Sequence, residues 1–338
     1  MDFFKNSKLN KSGFNNRIIK AALILCVGLI IAIAISLSLG AVPLSFQEIW
    51  QALLHRGSPI NQTILWDLRL PRTLAAILVG AALGMSGALL QGMLRNGLAD
   101  PFLLGISAGS GLAAVALLTL GLFIVWVPLA AWIGAILTTL VVYLLARTPS
   151  GISVQRLILG GVALSAFFGS ISSMLLLFSD DRVQVALNWL IGSLNGRSWL
   201  EVKVVGSYVS IGLVAGCLLA RSLNLLSLGD ELAVGLGVSL ARSRLLIGGV
   251  AALLAAGAVS ISGLIGFVGL VVPHIVRLLV GTNHYWVLPL SAVGGALLMT
   301  TADLIARLGS VELPVGVVTS VIGAPFFGFL LYRRSDIS

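Results

Sequence analysis

The chain has 338 residues, of which 58% are hydrophobic and only 10% are charged, and its formal net charge at pH 7 is +9. Soluble domains carry about 25% charged residues, so this composition excludes an ordinary soluble fold and indicates an integral membrane protein. Both cysteines, Cys26 and Cys217, lie in apolar runs, and we therefore expect no disulfide framework.

Intervals without charged residues recur along the whole chain, and about 20 apolar residues suffice for one helical span. In chain order the intervals are 21–47, 73–94, 101–146, 157–179, 204–220, 245–274, 278–302 and 313–332. The third has room for two spans, with a break near Trp126, and the sixth for one full and one short span that meet near 262–266. The pattern predicts an all-α membrane protein with ten transmembrane helices.

Two segments outside these spans need separate interpretations. A basic region precedes 21–47, as in a secretion signal, but this apolar run is longer than a signal core. We expect an uncleaved first span behind a cytoplasmic tail, 1–17. Segment 183–196 has 14 residues, too few to cross, and predicts an interfacial or re-entrant helix.

The second span is rich in small residues. Gly80 and Gly84 form a small-xxx-small pair, followed by Ser86 and Gly87. Such residues let helix backbones approach closely in lipid, where no hydrophobic force drives helices together. We therefore expect 73–94 to be a helix that packs tightly on other helices.

The basic residues are divided unequally between the two sides of the predicted bundle. An even number of spans puts both termini on one side, and that side carries 14 of the 21 Lys and Arg residues. The other side carries seven, matched there by seven acidic residues. By the positive-inside rule both termini are predicted to be cytoplasmic. The positive charge is thus a topology signal, and we expect no nucleic-acid partner.

Motifs for catalysis are missing from the sequence. It contains neither a phosphate-binding loop ending in Lys-Ser or Lys-Thr nor an HExxH motif, and its three histidines are scattered. We expect no catalytic residue, no metal site and no cofactor in this chain. If it transports a solute uphill, the energy comes from another protein.

A cytoplasmic segment between the sixth and seventh spans, 228–242, is the clearest candidate for a contact with such a protein. It begins as a short helix-like stretch with Asp230 and Glu231 in the first turn, where acids are favourable against the helix dipole. Glycines and a basic end, Arg242, follow. A soluble partner with a cleft could bind it; the alternative is an ordinary amphipathic loop.

Four blocks of sequence carry a more specific signal. They are RLPRTLAAILVGAALGMSGALLQGMLRNGLADPFLLGISAG (69–109), RLILGGVAL (156–164), ISGLIGFVGLVVPHIVRLLVG (261–281) and ADLIARLGSVELPVGVVTSVIGAPFFGFLLYRR (302–334). In order and spacing they resemble the FecCD-type permease subunit of binding-protein-dependent ABC importers for iron–siderophore complexes, haem and vitamin B12. The resemblance covers nearly all of the chain after about residue 18 and implies the same ten-helix fold.

The resemblance implies a role for the cytoplasmic segment. In the family, coupling helices at the position of 228–242 dock onto a separate cytoplasmic ATPase, which binds the ATP, and two permeases pair around a central pathway. The residues implied to contact the ATPase are Asp230, Glu231, Ala233, Gly235, Gly237 and Arg242.

It also implies a docking site on the opposite side. Arg69, Arg72 and Arg307 match arginines that receive acidic residues of the substrate-binding protein, and a planar guanidinium suits a carboxylate because it forms two parallel hydrogen bonds. For the first two, the alternative is membrane-interface anchoring or a salt bridge to Asp67. For Arg307 it is a pair with Asp303, four residues earlier on the same helix.

Together these features predict one permease domain, 1–338, that crosses the cytoplasmic (inner) membrane of a bacterium several times. We expect a ferric siderophore as cargo, with cobalamin or haem as the alternative. The expected partners are membrane lipid, the ATPase, a periplasmic or lipid-anchored binding protein, and a second permease, identical or a paralogue. An ion-coupled transporter would need coordinating groups at mid-membrane, and an intramembrane enzyme a nucleophile with its base; the sequence shows neither.

Overall fold

The computed structural model describes residues 2–122, 124–148, 151–179, 182–309 and 311–335, and α-helices make up most of this part. In chain order they are α1 (Asp2–Ser38), α2 (Phe46–Leu53), α3 (Pro59–Thr63), α4 (Leu70–Leu94), α5 (Ile106–Leu120), α6 (Val127–Ala146), α7 (Val154–Leu177), α8 (Val183–Ile191), α9 (Trp199–Leu218), α10 (Ala220–Leu226), α11 (Asp230–Gly235), α12 (Leu240–Ser262), α13 (Val268–Val280), α14 (His284–Ala306) and α15 (Val315–Ser335). Two short antiparallel strands, β1 (Arg147–Thr148) and β2 (Gly151–Ile152), precede α7.

Apolar helices of membrane-spanning length dominate the described part of the chain. Seven are long and apolar enough to cross a membrane; they lie in α1, α3–α4, α6, α7, α9, α12 and α14. Three shorter apolar helices lie in α5, α13 and α15. These ten fall at the ten predicted spans, so the all-helical membrane fold is confirmed, whereas a full crossing by the three shorter helices stays a prediction.

The predicted breaks agree with the helix ends. α5 ends at Leu120 and α6 begins at Val127, with Pro128 in its first turn, where the missing N–H of proline costs nothing. α12 ends at Ser262 and α13 begins at Val268, and α8 is a helix of only nine residues. The predicted tail, 1–17, has no boundary in the described backbone, because α1 runs without interruption from Asp2.

Helix α4 forms the centre of the bundle, and its small residues explain how. A Cβ on Gly80 would lie 2.2 Å from the backbone oxygen of Gly295, and one on Gly84 equally close to that of Ser291, so α4 and α14 touch backbone to backbone. On another face, a Cβ on Gly87 would lie 1.9 Å from the oxygen of Gly269 in α13. The predicted close packing of this span is confirmed.

Helix α4 runs from one end of the bundle to the other. Its 25 residues span about 37 Å at 1.5 Å per residue, so Arg72 in its first turn and Arg95 at its C-terminal cap lie at opposite ends of the bundle. Helix α1 ends beside Arg69, because the Leu37 and Ser38 carbonyls accept its hydrogen bonds. We call this the arginine end; its placement outside the cell stays a prediction.

Candidate docking and coupling sites

A turn of π-helix presents the first two arginines of the arginine end. Residues Ile64–Arg69 are π-helical, and the N–H of Leu70 bonds to the carbonyl of Leu65, five residues back. Pro71, which has no N–H to donate, follows at the start of α4. Single π-turns are rare and are frequent at functional sites. This one joins α3 to α4 and ends at Arg69, three residues before Arg72.

Arg69 holds the end of α1 against α4. Its side chain is buried, and Nη1 donates to the carbonyl oxygens of Leu37 at 2.6 Å and Ser38 at 3.0 Å, while Nη2 donates to that of Val42. Carbonyl oxygens therefore take the place of the carboxylate of Asp67, which the sequence offered as one alternative. Arg69 keeps its positive charge uncompensated by any acid in these contacts.

Arg72 forms a buried ion pair with Asp303 of α14. Its Nε lies 2.9 Å and its Nη2 2.8 Å from Asp303 Oδ1, and Asp303 is only 1% exposed. On its solvent side Nη2 also lies 2.5 Å from Glu312 Oε1, whose side chain is 36% exposed. Asp303 is thus enclosed by the protein, whereas Glu312 is accessible to solvent or to another protein.

Arg307 completes the group from the end of α14. Its Nε lies 3.2 Å from Asp303 Oδ2, the pairing that the sequence offered as the alternative to docking. Its Nη2 donates to Ser36 Oγ of α1 at 2.7 Å, and Ser36 in turn is 2.9 Å from Thr73 Oγ1 of α4. One buried carboxylate thereby orients two arginines carried by different helices.

These side chains line an open cavity of about 570 Å³. Its walls come from the loop after α1, the π-turn, the loop before α9 and the loop after α14; the charged lining residues are Asp67, Arg69, Arg72, Arg197, Arg307 and Glu312. Four arginines thus face two acids there, with Asp303 buried behind them. Such a cationic recess suits a carboxylate, because guanidinium–carboxylate bonds are charge-assisted and directional.

The segment 228–242 lies at the other end of α4, where Arg95 at the C-terminal cap contacts Asp230. Helix α11 begins at Asp230, with Glu231 beside it in the first turn, and Gly229 precedes it with φ of 116°. Glu231 and Arg242 are exposed, whereas Ala233 is fully buried and holds the segment on the protein. The structure therefore brings five of the six expected contact residues to the surface or its edge and places Ala233 inward.

An apolar ridge is the main feature of this segment. The side chains of Leu232, Val234 and Leu236 are 61%, 54% and 58% exposed, and no atom lies within 4 Å of a Cβ built on Gly235 or Gly237. Exposed apolar side chains beside glycines, which have no side chain of their own, leave room for another protein to pack against them. An ordinary solvated loop would present polar side chains here instead.

Asp230 ties this segment to two long helices. Its carboxylate accepts a hydrogen bond from Arg95, at the end of α4, and two from Arg244 Nη2 of α12, at 3.1 and 2.8 Å. Arg95 Nε also donates to the carbonyl of Leu226 in α10, at 2.7 Å. Asp230 and Arg95 thereby join α11 and α10 to α4 and α12, which are the two most buried of the seven long apolar helices in the described residues.

Arg244 extends this connection to two further elements. Its Nη1 donates to the carbonyl of Ile152 in β2 at 3.2 Å, and its own carbonyl accepts from the Tyr143 hydroxyl of α6 at 3.0 Å. Sequence reasoning used Arg95 and Arg244 only to count charges, since nothing local marks them as partners of Asp230.

Other polar residues have local explanations. The hydroxyls of Ser170, Ser172 and Ser173 in α7 donate to carbonyls four residues back, as polar residues in membrane helices often do. Asp100 accepts from the N–H of Phe102, and its burial raises the pKa of this carboxyl to about 6. Within the described ranges, no three His, Cys, Asp or Glu side chains are placed to hold a metal ion, and both cysteines are free.

Comparison with known proteins gives one family for nearly the whole chain. A family model described as the FecCD transport family matches residues 28–333. The cobalamin import system permease BtuC of Halobacterium salinarum is 41% identical over 84% of this chain and 78% of its own length. The hemin transport permease HmuU of Yersinia pestis is 40% identical over 89% of this chain and 92% of its own length. The Fe(3+) dicitrate permease FecD of Escherichia coli is 40% identical over 93% of this chain and 99% of its own length.

A solved structure matches the fold over the same extent. It is described as an inward-facing conformation of a putative metal-chelate type ABC transporter. Its chain superposes on this one with a TM-score of 0.85 at 34% identity, covering 93% of this chain and 99% of its own. Both the arginine end and the segment 228–242 lie inside the residues that the family model matches.

Proposed function

The chain belongs to the FecCD transport family, and we propose that it carries a ferric siderophore across the cytoplasmic membrane as one of two paired permeases. It is a multi-pass inner-membrane protein and a permease subunit of an ABC importer of the metal-chelate or vitamin B12 type. The observation that carries the permease assignment is the extent of the match, 28–333, which includes both ends described above, and the siderophore is the cargo that we propose within this family.

The energy for transport enters at residues 228–242, which we call the coupling segment. A separate cytoplasmic ATPase seats the ridge of Leu232, Val234 and Leu236 in a cleft, and its closure on ATP moves α11. Asp230 passes this movement through Arg95 and Arg244 into α4 and α12. Two observations support this role: Leu232, Val234 and Leu236 are exposed, and Asp230 at the start of the same helix is ion-paired to Arg95 and Arg244. Contact with the ATPase is also what the family resemblance implies for Asp230, Glu231, Ala233, Gly235, Gly237 and Arg242.

The cargo enters at the arginine end. A substrate-binding protein docks with acidic side chains on Arg69, Arg72 and Arg307, which line one recess. Arg72 exchanges the exposed carboxylate of Glu312 for one from the partner, while Asp303 keeps the guanidinium in place. The internal ion pairs therefore serve to orient the docking arginines, and the pairing of Arg307 with Asp303 does not argue against docking.

Cobalamin or haem is the alternative cargo. The relatives named for cobalamin, hemin and Fe(3+) dicitrate are 41%, 40% and 40% identical to this chain, so identity does not rank them. A permease that passes a bulky chelate needs a weakly binding wall, and the chemistry that selects the cargo then belongs to the binding protein.

An uptake assay separates these possibilities. This chain is reconstituted in liposomes with the ATPase and the binding protein encoded beside it, and uptake of a radiolabelled ferric hydroxamate, cobalamin and hemin is compared with and without ATP. ATP-dependent uptake of the ferric hydroxamate supports the proposal. Uptake of cobalamin or hemin alone replaces the cargo but keeps the importer. Uptake driven by an ion gradient without ATP contradicts the importer itself.

A further inference from the structure

A fourth arginine faces the recess at the arginine end. Arg197 lies in the loop between α8 and α9 and lines the same cavity of about 570 Å³ as Arg69, Arg72 and Arg307. Its side chain is 21% exposed, so it is mostly enclosed yet reachable from the recess. Neither the sequence motifs nor the family resemblance pointed to it, because it lies outside all four blocks of sequence that carry the resemblance.

The guanidinium of Arg197 is poorly satisfied within the described part of the chain. Its Nε is buried and has no hydrogen-bond partner there, and its ion pair with Glu201 is 3.8 Å long, beyond hydrogen-bond distance. Burial lowers the pKa of Arg197, and the charge of Glu201 only partly opposes this. A buried donor without a partner lowers stability, and more so when it is charged.

One oxygen of the neighbouring carboxylate, that of Glu201, caps helix α9. Glu201 Oε2 accepts from the N–H of Ser198 at 2.9 Å and also from its hydroxyl, in the capping box that starts α9. A capping box satisfies backbone donors that would otherwise be unpaired at a helix start. The cap occupies Oε2, while Oε1 lies 3.8 Å from Arg197 Nη1, beyond hydrogen-bond distance, so the arginine keeps unused donors.

The loop that carries Arg197 is held firmly. The N–H of Ser193 donates to the carbonyl of Ser262 at 2.8 Å, and the N–H of Gly316 to that of Gly192 at 3.1 Å. Behind it, Trp199 Nε1 donates to the carbonyl of Trp66 in the π-turn at 2.7 Å. The loop is thus fixed to the start of α15 and to the segment that presents Arg69. A fixed, unsatisfied guanidinium loses little entropy when it binds a carboxylate.

We propose that Arg197 is an additional docking residue, which receives a carboxylate of the substrate-binding protein beside the three arginines implied by the family resemblance. The inference rests on the proposed function, because it needs a binding protein that docks at this recess. Arg69 donates to carbonyl oxygens, and Arg72 and Arg307 are paired with Asp303. Arg197 also lines the recess, but its contact with a carboxylate, Glu201 at 3.8 Å, is too long for a hydrogen bond.

The test is the affinity of the permease–ATPase complex in nanodiscs for the cargo-loaded binding protein encoded beside it. A charge-assisted hydrogen bond contributes about 1.5–3 kcal/mol, so Arg197→Ala is expected to weaken binding by about tenfold to a hundredfold. Arg197→Lys keeps the charge without the planar fork and is expected to lose less. Arg56→Ala, which removes an exposed arginine from a loop at the same end, is the matched control and stays within about twofold.

A charge exchange separates direct contact from a structural effect. Arg197→Glu is expected to abolish binding and to be rescued by Lys in place of one acidic residue on the binding protein; a loss of fold would not be rescued this way. Wild-type affinity in Arg197→Ala, with binding lost in Arg69→Glu/Arg72→Glu, overturns the Arg197 proposal and leaves the proposed function intact. A wild-type complex that takes up cargo without binding any such protein overturns both.

Discussion

Replacement of Asp303 by Asn tests how the arginine end is built. Asp303 is 1% exposed, accepts hydrogen bonds from Arg72 at 2.8 and 2.9 Å and forms an ion pair with Arg307 at 3.2 Å, so its neutral analogue leaves two largely enclosed cations without their shared anion. Breaking a buried ion pair by removing one partner costs about 3–5 kcal/mol. Because Arg72 keeps Glu312, we expect a loss near the lower limit, about 3 kcal/mol of unfolding free energy.

The assay is unfolding in mixed micelles of increasing SDS content, followed by tryptophan fluorescence. Glu312→Gln is the matched control, since Glu312 contacts the same Arg72 at 2.5 Å but is 36% exposed, and an exposed pair contributes only about 0–1 kcal/mol. The reasoning is refuted if the two variants unfold at the same SDS fraction. It is also refuted if Asp303→Asn is as stable as wild type.

Three further predictions concern other parts of the chain. Gly84→Leu is expected to lose about 1–3 kcal/mol of stability, because a Cβ there meets a backbone oxygen of α14 at 2.2 Å, while Gly169→Leu, in an open position of α7, does not; thermal unfolding compares them. Burial raises the pKa of Asp100 to about 6, so the folded state binds a proton there more tightly than the unfolded state, whose pKa is 3.8. This contribution to stability is complete below about pH 3.8 and is lost as pH rises through about 6. Wild type should therefore lose more stability than Asp100→Asn between about pH 4 and pH 7, and equal losses would contradict the burial argument. Asp230→Asn breaks half-exposed ion pairs, so we expect less than about 1 kcal/mol change in stability but a clear loss of cargo-stimulated ATPase activity. Full stimulation in this variant would refute the role of Asp230 in coupling.

Much of the fold was predictable because membrane helices are local in sequence. Charge-free runs located the apolar helices, and Pro128 and the turn after Ser262 located two breaks. The glycines of α4 predicted close packing, since in lipid a small residue has few other reasons to recur at helical spacing. The helix ends were less accurate: the first interval, 21–47, ignored the stop at Ser38, where the chain turns back to place Val42 against Arg69.

The ion pairs were not predictable, because they join residues far apart in sequence. Arg72 and Asp303 are separated by 231 positions and Arg95 and Asp230 by 135. The sequence suggested only near neighbours, which is correct for Arg307 with Asp303 but misses Arg72. The pair of Arg72 and Asp303 forms because α4 and α14 touch at Gly80 and Gly295, which brings their ends together.

A local signal, two acids before glycines, suggested a helix start at Asp230, and α11 does begin there, whereas its attachment to Arg95 and Arg244 was not predictable. The same is true of Arg197: its charge was counted, but only the fold shows that it lines the recess and that its contact with Glu201 is 3.8 Å long.

The most direct test of the importer assignment is ATPase activity in liposomes that contain this chain with its neighbouring ATPase. We predict that cargo-loaded binding protein stimulates ATP hydrolysis and that Arg69→Glu/Arg72→Glu abolishes the stimulation while both subunits still co-purify. Stimulation that survives the double reversal would contradict docking at the arginine end. If no ATPase associates with the chain at all, the central claim is wrong.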